Sequence, residues 1–238
     1  MMKKYKAILF DMDGTLLPMD MHEFTTGYFG LLSKSIAKYN IPTDKLVATI
    51  WKATGEMVKN DGSVKNNVLF WKHFDEIIPG LPIKEVEKDC DHFYSHEFIE
   101  AKCFTYDNPL AVKAVEVAHK KAEIVALATN PLFPIDGQRT RMGWVGLKES
   151  DFDLVTSYES DNYCKPNPKY YETVCSRLGV EPKDCLMIGN DENEDMYACT
   201  LAGIDGYLVT DTMIASKEHP WNGPKGTFEE MINMLNSL

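Results

Sequence analysis

The chain has 238 residues, of which 44% are hydrophobic and 26% are charged, a balance typical of globular proteins with a substantial core. Its formal net charge of −11 argues against a broad surface for nucleic acid or anionic membranes, because both favour positively charged partners. We find no apolar stretch long enough to cross a bilayer and no signal-peptide core. We therefore expect a cytoplasmic protein that binds neither nucleic acid nor membranes and keeps its six cysteines reduced.

The first predicted element is a short buried strand at residues 7–10, which ends at two carboxylates, Asp11 and Asp13, followed by Gly14. Side chains just past a strand end in an open α/β sheet face the crevice where such proteins bind ligands. Two carboxylates this close repel each other unless positive charge lies beside them, and a divalent cation with oxygen ligands is the obvious candidate. Taken alone, Asp13-Gly14 could equally be an ordinary turn.

Residues 18–104 show helical periodicity and no strand alternation. The spacing predicts helices over about 24–36, 43–57, 66–78 and 84–101. We expect their aromatic side chains to form the core of this segment rather than a ligand pocket. His92 and His96 are interpreted as part of a polar helix face, although their spacing also suits a metal. The segment is long for a crossover between strands and is predicted to be an inserted helical domain.

Beyond residue 105, predicted helices alternate with short apolar strands, which lie at about 124–128, 152–156, 185–188 and 207–209. Residues 134–150 give only a weak pattern of helix and loop. Thr227 and Glu230 form a capping-box pattern that predicts the C-terminal helix. This alternation predicts an α/β fold, with a doubly wound parallel sheet in a Rossmann-like core at residues 1–17 and 105–238 and a helical domain at 18–104.

Polar groups of distinct kinds follow four predicted strands, and each has an ordinary explanation on its own, such as a helix cap, a solvated charge or an acidic first helical turn. The carboxyl ends of parallel strands lie along one edge of a sheet, so we expect these groups to meet. They are Asp11 with Asp13, Thr129 with Asn130, Lys165, and Asp191 with Asp195.

Together these residues resemble the motifs of the haloacid dehalogenase-like hydrolase superfamily. Its DxDGT motif is matched by residues 11–15, its second motif by Thr129 at a strand end, and its third by Lys165-Pro166. The fourth motif, an acidic cluster after a strand and a glycine, is matched by residues 189–195. There, Asn190 takes the place that usually holds an aspartate, so Asn190 and Asp191 are both candidates for the metal-ligand position. Residues 18–104 resemble the family's first type of cap domain.

The resemblance implies a Mg²⁺-dependent phosphatase that hydrolyses a small phosphorylated metabolite through an aspartyl-phosphate. Asp11 would be the nucleophile and Asp13 the general acid and base, with Thr129 and Lys165 completing the catalytic set. The residues expected to bind phosphate are Thr129, Asn130 and Lys165. The residues expected to hold Mg²⁺ are Asp11, Asp13 and Asp191, with Asn190 and Asp195 in secondary positions.

Three alternatives remain open from the residues themselves. A phosphomutase of the same superfamily shares the DxDGT motif and differs in how its cap behaves. A phosphoacceptor signalling module also combines Asp, Thr and Lys at strand ends, and a binding protein without turnover is a third possibility on this fold. Asp13 argues against a dehalogenase or a phosphonatase, because those members of the superfamily lack the second acid. The helical domain contains no motif typical of a substrate pocket.

Overall fold

The computed structural model describes residues 4–238 as a single parallel sheet with helices on both faces. The sheet has the strand order β3-β2-β1-β4-β5-β6. Its strands are β1 Ala7–Phe10, β2 Ile124–Leu127, β3 Leu154–Val155, β4 Cys185–Gly189, β5 Asp205–Val209 and β6 Lys225–Gly226. The α/β prediction is confirmed, and the short edge strand β6 extends the sheet beyond the last strand that the sequence predicted.

Nine α-helices connect or cover the strands within residues 4–238. They are α1 Met21–Ser35, α2 Thr43–Val58, α3 Asn66–Ile77, α4 Ile83–Ser95, α5 Ala111–Lys121, α6 Ile135–Trp144, α7 Pro168–Leu178, α8 Ala198–Leu201 and α9 Phe228–Ser237. The predicted capping box at α9 is present, since the Thr227 hydroxyl and the Glu230 carboxylate each accept from the other residue's backbone N–H. No helix within the described part of the chain is both long and apolar enough to span a bilayer.

Strand β1 is the centre of the sheet, and its side chains alternate between two cores. Ile8 and Phe10 contribute to a core shared with α5, α9 and the helical segment, whereas Ala7 and Leu9 contribute to a core shared with α7 and α8. All four residues are completely buried. Helices therefore cover both faces of the sheet, which explains why β1 is apolar throughout rather than alternating with polar residues.

The strand register aligns the carboxyl ends of the three central strands. Phe10, the last residue of β1, pairs with Leu127 on β2 and with Ile188 on β4. The chain therefore leaves these strands at the same level, where Asp11 follows β1 and Asn190 follows β4. A parallel register of this kind brings residues that are far apart in sequence to one edge.

The predicted single helix over 84–101 is wrong, because α4 ends at Ser95 and a 3₁₀ helix follows at Glu97–Phe104. The Ser95 hydroxyl donates to the backbone carbonyls of Asp91 at 2.8 Å and His92 at 3.1 Å. Such side-chain bonds compete with helix continuation. His96 then takes φ −128° and ψ −68°, outside helical geometry. The predicted strand at 152–156 is likewise shorter and covers only Leu154–Val155.

Candidate active site

A buried lysine forms ion pairs with two carboxylates at the carboxyl edge of the sheet. The Lys165 Nζ lies 2.8 Å from Asp11 Oδ1 and 2.6 Å from Asp195 Oδ1, and Lys165 is only 1% exposed. Burial alone would lower the pKa of Lys165, but the carboxylates of Asp11 and Asp195 raise it well above its usual value. Lys165 is therefore a fixed positive charge beside Asp11.

Asp11 is held at the end of β1 by its backbone N–H, which donates to the carbonyl of Ile188 at 2.9 Å. Burial raises the pKa of the Asp11 carboxyl, and the Lys165 ammonium opposes that rise. The carboxylates of Asp195 and Asp13 add to the rise because like charges disfavour ionisation. One oxygen of Asp11 is thus bound to the Lys165 ammonium, at an edge where the other acids would otherwise repel an anionic ligand.

Asp13 is bound by an arginine that the sequence did not single out. Arg141 on α6 is completely buried, and its guanidinium donates to Asp13 Oδ2 and to the side-chain oxygen of Gln138. The guanidinium also lies over the ring of Phe133, 4.0 Å from its centroid. Within residues 4–238, Asp13 Oδ1 and Gln138 Nε2 are buried without a hydrogen-bond partner.

The weak pattern at residues 134–150 hid this arginine. The region forms α6, in which Gln138 and Arg141 are one turn apart on a side that also buries Met142. Two polar residues at helical spacing, next to apolar residues that the fold buries, are the pattern that could have indicated a buried Arg141. An arginine in a weakly amphipathic segment normally indicates solvent exposure, since arginine is rarely buried unless it is paired.

Asn130 links two other parts of the site. Its side-chain oxygen accepts from the Lys165 backbone N–H at 3.2 Å, and its Nδ2 donates to Glu194 Oε2 at 2.8 Å. The adjacent Thr129 has its backbone carbonyl bound by the hydroxyls of Thr156 at 2.7 Å and Tyr170 at 2.8 Å. A turn follows Asn130, and α6 begins only at Ile135.

In the fourth motif, Asp195 organises the backbone and Asp191 caps the π-helix at Glu192–Tyr197 that follows. Asp195 Oδ2 accepts from the backbone N–H groups of Asn190 and Asp191, each at 3.0 Å. Asp191 Oδ1 accepts from the N–H groups of Asn193 at 2.7 Å and Glu194 at 2.8 Å. Asp195 therefore binds the loop backbone with one carboxylate oxygen and the Lys165 ammonium with the other.

Asn190 faces the DxDGT loop. Its side-chain oxygen accepts from the Thr15 hydroxyl at 3.2 Å, and its Nδ2 donates to the Thr212 carbonyl at 2.8 Å. A Cβ at Gly14 would lie only 2.2 Å from Asn190 Nδ2, and Gly14 has φ +83°. Glycine is thus required here both by the backbone conformation and by the close approach of Asn190.

Comparison with known proteins identifies the family. The model of the haloacid dehalogenase-like hydrolases matches residues 5–203, a span that contains every motif described above. The chain belongs to this hydrolase family. The matched span includes the residues that the fold brings to the carboxyl edge of the sheet.

Two phosphatases are among this hydrolase's relatives. Phosphoglycolate phosphatase from Haemophilus influenzae is 22% identical over 244 residues, which covers 99% of each chain. Glyceraldehyde 3-phosphate phosphatase from Methanothermobacter thermautotrophicus is 33% identical over 89 residues, or 37% of this chain and 39% of the relative. The family and these relatives support a phosphoric monoester hydrolase.

A solved structure shares the fold of this hydrolase along its whole length. The HAD-hydrolase YfnB from Bacillus subtilis, bound to magnesium, has a TM-score of 0.60 at 20% sequence identity. The match covers 98% of this chain and 100% of that one. In the present structure, no three histidine, cysteine, aspartate or glutamate side chains among residues 4–238 are arranged as a metal site.

The cysteines lie outside this chemistry. None of the six forms a disulfide among the described residues, and only Cys103 is exposed. Cys164, next to Lys165, is completely buried, and burial raises the pKa of its thiol well above the usual value. A thiol in this state is a poor target for oxidation, so proximity in sequence does not make Cys164 a redox sensor of the site.

Proposed function

We propose that the protein is a Mg²⁺-dependent phosphatase that hydrolyses a small phosphorylated metabolite through an aspartyl-phosphate. The observation that carries this proposal is the buried Lys165 ammonium, 2.8 Å from the carboxylate of Asp11. A phosphate dianion cannot approach a cluster of acids unless fixed positive charge offsets the repulsion. Lys165 supplies that charge beside the one carboxylate that directly follows the central strand.

In this proposal Asp11 is the nucleophile. A carboxylate oxygen attacks phosphorus, the ester P–O bond breaks, and water then hydrolyses the acyl phosphate. Lys165 orients the carboxylate through its other oxygen, and Asp195 in turn orients Lys165 at 2.6 Å. Thr129 and Asn130 lie just past the end of the neighbouring strand, β2, where the Thr129 side chain and the backbone N–H groups near Asn130 are proposed to hold phosphoryl oxygens.

Asp13 is proposed as the general acid and base, and Arg141 as the residue that positions it. Arg141 binds Asp13 Oδ2, while Oδ1 has no partner among the described residues. An oxygen in this state is free to give a proton to the leaving alcohol and to take one from the attacking water. The guanidinium itself is held by Gln138 and by the Phe133 ring, so the carboxylate has a fixed support.

The proposed ligands at this edge fit Mg²⁺ by donor chemistry, since each offers an oxygen donor. Asp11, the backbone carbonyl of Asp13, and a residue of the fourth motif would hold the ion. For the last position we favour Asn190 over Asp191, because the Asn190 side chain contacts Thr15 of the DxDGT loop. The Asp191 carboxylate instead accepts from the backbone N–H of Asn193 in its own segment. When bound, the ion supplies positive charge to the phosphoryl oxygens.

We further propose that residues 18–104 are a cap domain over this site. They contact the core beside it, since Asn66 N–H donates to the Asp161 carbonyl at 2.9 Å and the Thr140 hydroxyl donates to the Tyr94 carbonyl at 3.1 Å. In this position the helices can exclude water from the aspartyl-phosphate and contact the leaving alcohol.

Hydrolysis of 4-nitrophenyl phosphate, with and without Mg²⁺, tests the proposal. We expect metal-dependent turnover that is lost in Asp11→Asn and Asp13→Asn and kept in Asp107→Asn, a matched control with 87% of its side chain exposed. Borohydride applied during turnover would reduce an acyl phosphate to homoserine, which mass spectrometry would locate at residue 11. Turnover by Asp11→Asn, or a trapped group at another residue, would refute this mechanism.

A further inference from the structure

An apolar cavity lies inside the helical segment. It has a volume of about 130 Å³ and is lined by α1–α4 and by the loop that follows β2. Half of its lining residues are aromatic, and none of those residues, all from the described part of the chain, is charged. The aromatics that the sequence assigned to a core, such as Phe24 and Phe74, therefore also form the wall of a cavity.

One wall of this cavity adjoins residues of the candidate active site. Leu132 and Phe133 line the cavity and come directly after the loop that carries Asn130. The Leu132 N–H donates to the Asn130 carbonyl at 2.8 Å. The Phe133 ring is 4.0 Å from the guanidinium of Arg141, which binds Asp13. The group attached to an alcohol that leaves phosphorus and is protonated by Asp13 therefore has this cavity as its neighbour.

Four polar side chains of the cavity are already engaged with one another. The hydroxyls of Tyr28 and Tyr94 share a hydrogen bond, and the indole N–H of Trp71 lies 3.5 Å from the hydroxyl of Tyr158. Burial raises the pKa of these three tyrosines, so their hydroxyls stay neutral. A charged group placed here would lack a compensating partner, and burying an unpaired charge is strongly unfavourable.

We propose that this cavity binds the apolar portion of the substrate, so that the substrate is an amphiphilic phosphate monoester whose alcohol carries an alkyl or aryl group. This inference rests on the proposed phosphatase function. In the reaction the ester P–O bond breaks, the alcohol leaves with a proton and its apolar group in the cavity, and water supplies the oxygen that ends on inorganic phosphate.

Straight-chain alkyl phosphates test this proposal, because ethyl, butyl and hexyl phosphate share the same leaving-group chemistry. Burial of one methylene is worth roughly a fourfold gain in binding. We therefore expect kcat/KM to rise by about tenfold or more from ethyl to hexyl phosphate, even if the added methylenes are only partly buried. A value that stays flat or falls with chain length would overturn the inference.

A matched pair of variants tests whether the gain comes from the cavity. Thr25 on α1 is half-buried and lines the cavity, whereas its neighbour Thr26 is exposed and does not. Thr25→Phe should remove most of the preference for hexyl phosphate and leave ethyl phosphate unchanged, whereas Thr26→Phe should change neither. Circular dichroism of both variants shows whether the fold is kept. An unchanged hexyl preference in a folded Thr25→Phe protein would overturn the assignment.

The controls separate this inference from the function on which it rests. If 4-nitrophenyl phosphate is hydrolysed but chain length has no effect, the phosphatase proposal stands and the cavity proposal fails. If no ester is hydrolysed, the phosphatase proposal fails, and the binding of alkyl phosphates then tests the cavity proposal. Trp51 and Trp71 line it, so hexyl phosphate should change tryptophan fluorescence with saturation where ethyl phosphate does not. No saturable change with hexyl phosphate would refute the cavity proposal as well.

Discussion

Replacing Lys165 by Met tests the electrostatic design of the site without adding a polar group. Methionine has a similar length and no charge, so it fills the space while leaving Asp11 and Asp195 without their cation. Both carboxylates are almost completely buried, with side-chain exposures of 10% and 2%. The variant therefore isolates the contribution of the ammonium from that of packing.

Removing one partner of a buried ion pair costs about 3–5 kcal/mol in the free energy of unfolding, because the remaining charge is left uncompensated. For a protein of this size, 1 kcal/mol corresponds to roughly 2–4 °C in Tm, so the expected loss is about 6–20 °C. At low pH, protons neutralise the Asp11 carboxylate of the variant, because burial raises the pKa of this group. The destabilisation should therefore be larger at pH 8 than at pH 5.

Urea unfolding at both pH values measures this difference, with EDTA present so that no metal replaces the ammonium. Lys169→Met is the matched control, because Lys169 is on the same segment and exposed. It should change stability by less than about 0.5 kcal/mol at either pH. If Lys165→Met were as stable as Lys169→Met, or equally destabilised at both pH values, the charge argument for the site would be wrong.

Three further changes probe the site and its support. Gly14→Ala should lower the free energy of unfolding in urea by at least about 2 kcal/mol, because φ is +83° and the new Cβ would meet Asn190 at 2.2 Å. The control Gly30→Ala, which places its Cβ in open space on α1, should raise that free energy by roughly 0.5–1 kcal/mol. The pKa of the Glu194 carboxyl is raised to about 7, chiefly by burial. Between about pH 4.5 and 7 the folded state therefore binds more protons than the unfolded state. Wild-type stability should therefore fall relative to Glu194→Gln as pH rises through this range in EDTA, and a parallel pH profile would contradict it. Arg141→Met should lower kcat by about 10²-fold with partial rescue by Arg141→Lys, and an unchanged kcat would remove its positioning role.

The sequence by itself determined the fold class and the meeting place of the motifs. A buried strand ending at Asp11, and later apolar strands ending near Thr129 and Asn190, are local patterns. They depend on burial and on backbone preferences that neighbouring residues share. Parallel pairing then follows from the alternation with helices, and it places strand ends at one edge whatever the details of packing. The cap boundaries and the catalytic roles remain predictions built on that framework.

Only the tertiary structure decided how these groups are partnered. Asp13 and Arg141 are 128 residues apart, and no local pattern distinguishes an arginine that is buried against a carboxylate from one in solvent. In the same way, helical periodicity indicates which aromatics turn inward but not whether they pack completely or leave a cavity. Both outcomes depend on the shapes of side chains from distant segments that meet only after folding, since close packing is a property of the assembled core.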